Sequence, residues 1–203
     1  MRLLYILGWG YVAIAGVLLY QTRRAEPPVA VMPAPLRPPA IPVGPGEAAP
    51  ASPSWYERVR PHCNPVEVEV TLAQNPPASD AQSQSLAAAC LALAGKIERA
   101  ALLIDALPAE QRGHAAHIVF NEGHPVADMG DDEAAGPIMQ LVLRYEPTNY
   151  MALYHAGIAQ YRTNQPERAR ANLKRFLELY HENDGWTASA RETLRALGEK
   201  VTA

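Results

Sequence analysis

Apolar positions along the chain fall into three regimes, and each predicts a different kind of structure. Residues 3–20 carry no charge, and their apolar side chains run on without a helical or strand period. About 20 such residues cross a bilayer as a helix, so residues 1–24 read as a transmembrane anchor, with Arg2 and Arg23-Arg24 at its ends. Tyr5 and Tyr20 stand near the expected interfaces. Ala13-Ile14-Ala15 offers the alternative of a cleaved leader, but the apolar run continues past it through Tyr20. Residues 25–54 show no pattern at all. More than half of the chain's 19 prolines lie between Pro27 and Pro53, among Ala, Val and Gly. Proline fixes φ and removes a donor, so this stretch predicts an extended linker, reaching of order 90 Å at about 3.1 Å per residue.

From residue 55 the pattern becomes regular. Trp55-Tyr56-Glu57-Arg58-Val59-Arg60 is a short amphipathic piece stopped by Pro61. Val66, Val68, Val70 and Leu72 then alternate with polar residues, which is the period of a strand. Asn64-Pro65 in front is equally a helix start, and a lone strand in a helical domain has nothing to pair with. Both readings stand for this preface, residues 55–79. Beyond it the stripes are helical. A helix capped by Ser79 or Asp80 runs to Ala94, and a second over residues 96–107 carries Ala100, Leu103, Ile104 and Leu107 on one face. Further helices are predicted over 112–127, with His124-Pro125 interrupting it, and over 132–145, 149–163 and 166–182. A last one starts at Asp184, with Trp186, Ala190, Thr193, Leu194 and Leu197 on one face.

Three similar stations punctuate these helices: Gly95-Lys96-Ile97-Glu98-Arg99-Ala100, Gly130-Asp131-Asp132-Glu133-Ala134-Ala135 and Asn164-Gln165-Pro166-Glu167-Arg168-Ala169. Each begins with a residue that tolerates left-handed backbone. Each then places an acid in the first helical turn, where the helix dipole favours it, and a small residue where two helices touch. Their starts, at Gly95, Gly130 and Asn164, recur at a nearly constant interval of the length at which helix-turn-helix units repeat. The chain here resembles the tetratricopeptide repeat (TPR) family, whose unit is two antiparallel helices. Leu153, Gly157, Ala159, Tyr161, Ala169 and Leu173 stand at or next to that family's large and small positions, and Pro147-Thr148-Asn149 looks like its inter-repeat corner. In the middle unit Gly123, Ala135 and Pro147 keep the same offsets. In the first, the turn and second helix fit. The resemblance implies an all-α, TPR-like antiparallel helix-pair solenoid over residues 80–203: about three repeats, with a C-terminal helix capping the stack. It also implies a concave groove lined by the first helices, which selects His117, Phe120, His124 and Asp128 in the middle unit. In the third unit it selects Met151, Tyr154, Ile158, Tyr161 and Arg162.

Composition narrows the function. The formal net charge of −3 gives no basic field for nucleic acid. The two cysteines, Cys63 and Cys90, form no Cys-x-x-Cys, so covalent haem attachment and a thioredoxin-like site are not supported. A Cys63–Cys90 disulfide would staple the preface to the first repeat and contribute about 3 kcal/mol through loop closure. Two buried free thiols are the alternative. Arginines balance across the apolar run, so the cysteines argue the topology: N-terminus cytoplasmic and the helical domain periplasmic or otherwise extracytoplasmic. His114, His117, Glu122, His124, Asp128, Asp131, Asp132 and Glu133 crowd one stretch. They lack a His-Glu-x-x-His pattern, and the acids at 131–132 are explained by the helix they precede. No metal, cofactor, small-molecule substrate or catalytic residue is expected. The expected role is a non-enzymatic structural or assembly subunit of a larger membrane complex. Its anchor lies among lipid and membrane subunits, and its repeats bind a protein partner. An energy-converting complex with a periplasmic cytochrome, such as a photosynthetic reaction centre, would be one host. A transient adaptor or chaperone in envelope secretion or cytochrome maturation is the alternative, and a cleaved periplasmic binding module a third.

Overall fold

The computed structural model describes residues 54–200; the anchor, nearly all of the Pro-rich linker and the last three residues lie outside them. The described residues form nine α-helices and no strand. The preface holds α1 (Trp55–Val59), a 3-10 turn (Arg60–His62) and α2 (Val68–Gln74). Then come α3 (Ala81–Leu93), α4 (Ile97–Asp105), α5 (Ala109–Asp128), α6 (Asp132–Tyr145), α7 (Tyr150–Arg162), α8 (Pro166–Leu179) and α9 (Gly185–Ala196). Among the described residues no helix is long and apolar enough to cross a membrane.

The Val/Glu alternation resolves as helix. Asn64 Oδ1 accepts from the backbone N–H groups of Val66 and Glu67, satisfying donors that a helix start leaves free. Val68 is fully buried and Leu72, one turn on, is partly buried, while Val66 and Val70 face solvent. A strand would have put all four on one side.

The turns follow the predicted stations. Gly95, Gly130 and Asn164 have φ of 72°, 82° and 58°, and Gly198 repeats the conformation at 85°, one further interval along the chain. At each, the next residue donates back to a carbonyl near the end of the preceding helix: Lys96 to Leu91, Asp131 to Val126, Gln165 to Gln160 and Glu199 to Leu194. This is the Schellman closure, which satisfies the last carbonyls of a helix. The fourth station closes α9 in the manner of α3, α5 and α7.

Consecutive helices from α3 to α9 pack against one another, and α5 also packs against α3. Two close crossings recur at the interval of the turns: a Cβ on Gly123 would stand 2.6 Å from Ile138 Cγ2 on α6, and one on Gly157 would stand 2.7 Å from Leu173 Cγ on α8. One buried cluster runs through α1 to α7 around Ala88, Cys90, Ile104, Met139 and Ala156. A second joins α7, α8 and α9 through Tyr154, Leu173, Phe176 and Leu194, and Leu143 packs against both. Cys63 and Cys90 are bonded, with Cα atoms 4.8 Å apart, so the preface is fixed to α3 covalently. Arg60 adds an ion pair to Glu122 of α5 at 2.8 Å.

Two boundaries differ from the sequence expectation. Helix α5 starts at Ala109 and runs through Pro125 to Asp128, so His124-Pro125 does not interrupt it. The proline sits in the last turn, where its missing N–H costs a single bond and Met129 N–H still reaches Pro125 O at 3.1 Å. Helix α8 stops at Leu179 because Tyr180 is extended, its hydroxyl donating to Asp184 Oδ2 at 2.6 Å.

Candidate functional site

Helical spacing along the sequence puts His117, Phe120, His124 and Asp128 on one flank of α5. Their rings stack along the helix: His117 on Phe120 at 6.2 Å between centroids, and Phe120 on His124 at 4.8 Å. The ladder then crosses to α7. The His124 ring meets the His155 ring edge-on at 4.9 Å, and His155 in turn meets Tyr154 at 5.1 Å and Trp186 of α9 at 5.5 Å. Rings from three helices thus form one continuous row.

At the α5 end of this row, an open cleft of about 470 Å³ is lined by His117, Phe120, Glu146, Tyr150 and Met151 among others. Its floor is the α6–α7 corner, where Asn149 caps α7 by accepting from Ala152 N–H at 3.0 Å. Phe120, Tyr150 and Met151 give the lining apolar and aromatic groups. Its polar groups include the Glu146 carboxylate, 3.8 Å from His117 Nδ1.

At the α7 end, three donor atoms converge. His124 Nε2 and His155 Nε2 are 3.0 Å apart, and Asp128 Oδ1 lies 3.5 Å from the first and 3.7 Å from the second. His155 is buried, His124 half-buried and Asp128 exposed. Burial pushes the His155 imidazole down to about 4, the positive charge of a protonated His124 adds to this, and the Asp128 carboxylate opposes it. At neutral pH His155 therefore keeps a free nitrogen lone pair.

The residues selected by the family resemblance separate into groups. His117, Phe120 and Met151 share the cleft, while His124 and Asp128 join His155 instead. Tyr154 is 7% exposed and belongs to the core, its ring against Phe176 and Trp186 and its hydroxyl donating to Ser189 Oγ at 2.9 Å. Ile158 packs against the same cluster. Arg162 braces the preceding turn, pairing with the buried Asp132 and reaching Gly130 O. Tyr161 is 40% exposed. The crowded His/acid stretch also disperses: Glu122 serves Arg60, Asp131 caps α6 by accepting from Ala134 N–H, and Asp132 serves Arg162. Sequence reasoning missed His155, Glu146, Tyr150 and Trp186 as neighbours of these residues. Only the contact between α5 and α7 identifies the first of them.

The chain matches no protein-family model, and no curated protein or solved structure matches it. Fold and site define a class: an all-helical domain of packed neighbouring helices, stapled by one disulfide, with an aromatic and histidine-rich row beside an open cleft.

Proposed function

We propose that this chain is a non-enzymatic interaction subunit: a TPR-like solenoid, held to a membrane by residues 1–24, that docks a partner protein outside the cytoplasm. The cleft between α5 and the α6–α7 corner carries the reading. It is wide, open and half apolar, with Phe120, Tyr150 and Met151 able to seat an apolar anchor residue, and His117 and Glu146 able to pair with polar groups beside it. An extended peptide segment fits such a site better than a small molecule, which needs a more enclosed pocket. Support for the TPR-like assignment comes from the left-handed turns at Gly95, Gly130, Asn164 and Gly198, which recur at a nearly constant interval, and from the paired crossings at Gly123 and Gly157. Helix α9, closed by the fourth turn, takes the place of the first helix of a further unit and covers Phe176 and Leu173. The disulfide supports an oxidising compartment.

Gentle extraction of the full chain from membranes, followed by native sizing, tests the proposal. Stoichiometric co-purification with one complex is expected, and its loss in Phe120→Ala/Met151→Ala. A substoichiometric mixture of clients would favour the transient adaptor or chaperone, and retention of the complex by the double variant would remove the cleft from the proposal.

A further inference from the structure

We infer that His124, Asp128 and His155 form a binding site for a divalent transition ion of zinc's class. The inference does not depend on the docking cleft. The three donor atoms make a triangle with sides of 3.0, 3.5 and 3.7 Å. The point equidistant from its corners lies about 2.0 Å from each, while Zn–N and Zn–O bonds are about 2.0–2.2 Å. An ion placed slightly out of that plane reaches all three ligands without moving a helix. Two imidazoles and one carboxylate are the donors zinc, copper(II) and nickel(II) prefer; calcium and magnesium require more oxygens than this site supplies.

A hydrogen bond between the histidines explains less. One proton between the two Nε2 atoms joins a single pair of the three donors, and Asp128 Oδ1 stays 3.5 and 3.7 Å from the two nitrogens, beyond ordinary hydrogen-bond length. A cation satisfies all three at once: with both Nε2 lone pairs on the ion each ring carries its single proton on Nδ1, so a ring that held its proton on Nε2 changes tautomer by exchange with solvent and no proton is released overall. Asp128 adds a second argument. It is the last residue of α5, at the negative end of the helix dipole, with Asp131 and Asp132 just beyond it in the chain. Among the described residues the ionisable groups paired with it are the His124 and His155 imidazoles, with no lysine or arginine. A cation at this place is favoured by the negative helix end as well as by the three ligands.

His124 and Asp128 are one turn apart on α5, a preformed chelate, while His155 comes from α7. The ion therefore clamps the second and third helix pairs together. His124 and Asp128 are both partly open to solvent, which leaves a fourth coordination position for water.

The test is calorimetric titration of the full chain, prepared without a histidine tag and stripped with chelator, using zinc chloride. One zinc per chain is expected, with dissociation constant in the micromolar range or tighter. Asp128→Asn and His124→Gln should each weaken it tenfold or more while circular dichroism keeps its helical signal, and magnesium chloride should give no binding heat. Cobalt(II) titration of the unaltered chain is independent of any variant's folding: intense visible absorption of a four-coordinate ion is expected, lost on adding zinc. Absence of saturable zinc binding, unchanged affinity in both variants, or only the weak absorption of six-coordinate cobalt would overturn the inference.

Discussion

Glycine-to-alanine exchange should act with opposite signs at two helical positions, and the difference measures how closely α7 and α8 cross. Gly113 lies inside α5 with nothing within 4 Å of a built Cβ, whereas a Cβ on Gly157 would stand 2.7 Å from Leu173 Cγ, 2.8 Å from Leu173 Cδ2 and 3.4 Å from Leu173 N. Removing glycine from a helix interior contributes about 1 kcal/mol at either site. At Gly113 nothing opposes that gain. At Gly157 the obstacle is the branch point of a fully buried leucine with its backbone close behind, so relief requires the helices to part by roughly 0.7 Å towards ordinary contact, an overpacking cost of about 1–3 kcal/mol. Gly113→Ala should therefore gain about 1 kcal/mol and Gly157→Ala should lose about 1 kcal/mol. In a domain of this size each corresponds to a melting shift of about 2–4 °C, upward and downward respectively. Urea unfolding followed by far-ultraviolet circular dichroism reads both. If Gly157→Ala stabilised the chain as much as Gly113→Ala, the α7–α8 crossing would not be a close one, and the recurrence of Gly123 at Gly157 would lose its physical basis.

Replacing both Cys63 and Cys90 by alanine should cost about 3–4 kcal/mol for the sequence separation of 27 that they bridge, measured as a lower urea midpoint. In chelator, the chain should lose stability as pH falls from about 6.5 towards 4, because His155 is held neutral in the fold at about 4 and takes up a proton on unfolding. The slope attributable to it is at most about 1.4 kcal/mol per pH unit, and comparing melts of the parent and His155→Phe at pH 7 and pH 5 isolates it; equal losses would refute the assignment. Gly136→Ala should lower zinc affinity several-fold without touching a ligand, since its Cβ would stand 2.8 Å from Ala159 Cβ and push α7 away from α6; calorimetry checks it, with Gly113→Ala as the unaffected control.

Much of the fold was legible because its signals are local. Asp80, Asp131, Asn149 and Asp184 each cap a helix by accepting from backbone N–H groups in its first turn, as short polar side chains before an apolar stripe predict. The left-handed turns were read from single residues, Gly95 and Gly130 because they lack a Cβ and Asn164 because a short amide side chain tolerates that backbone. What was illegible is equally physical. The preface alternates like a strand, yet Asn64 satisfies the first free N–H groups and α3 offers one apolar contact line, so a helix burying Val68 and Leu72 wins. His124-Pro125 reads as a break only when proline's penalty is taken without its position; in the final turn little remains to be broken.

The histidine site was illegible for a different reason, which also explains how it is held. Helices α5 and α7 each pack along α6 and touch each other far less. Their separation is therefore set by α6, through Ile138 against Gly123 on one side and Gly136 against Ala159 on the other. These two close crossings fix how far His124 stands from His155, although none of the four residues is polar. A pattern search along one helix sees His114, His117 and His124 and finds no ligand spacing, because the partner nitrogen lies two helices further on, in an alanine-rich stretch that reads as core. His155 is core by burial and a ligand by position at once. Small residues that let helices approach are usually assigned to stability; here the same approach brings a second imidazole within 3.0 Å of the first.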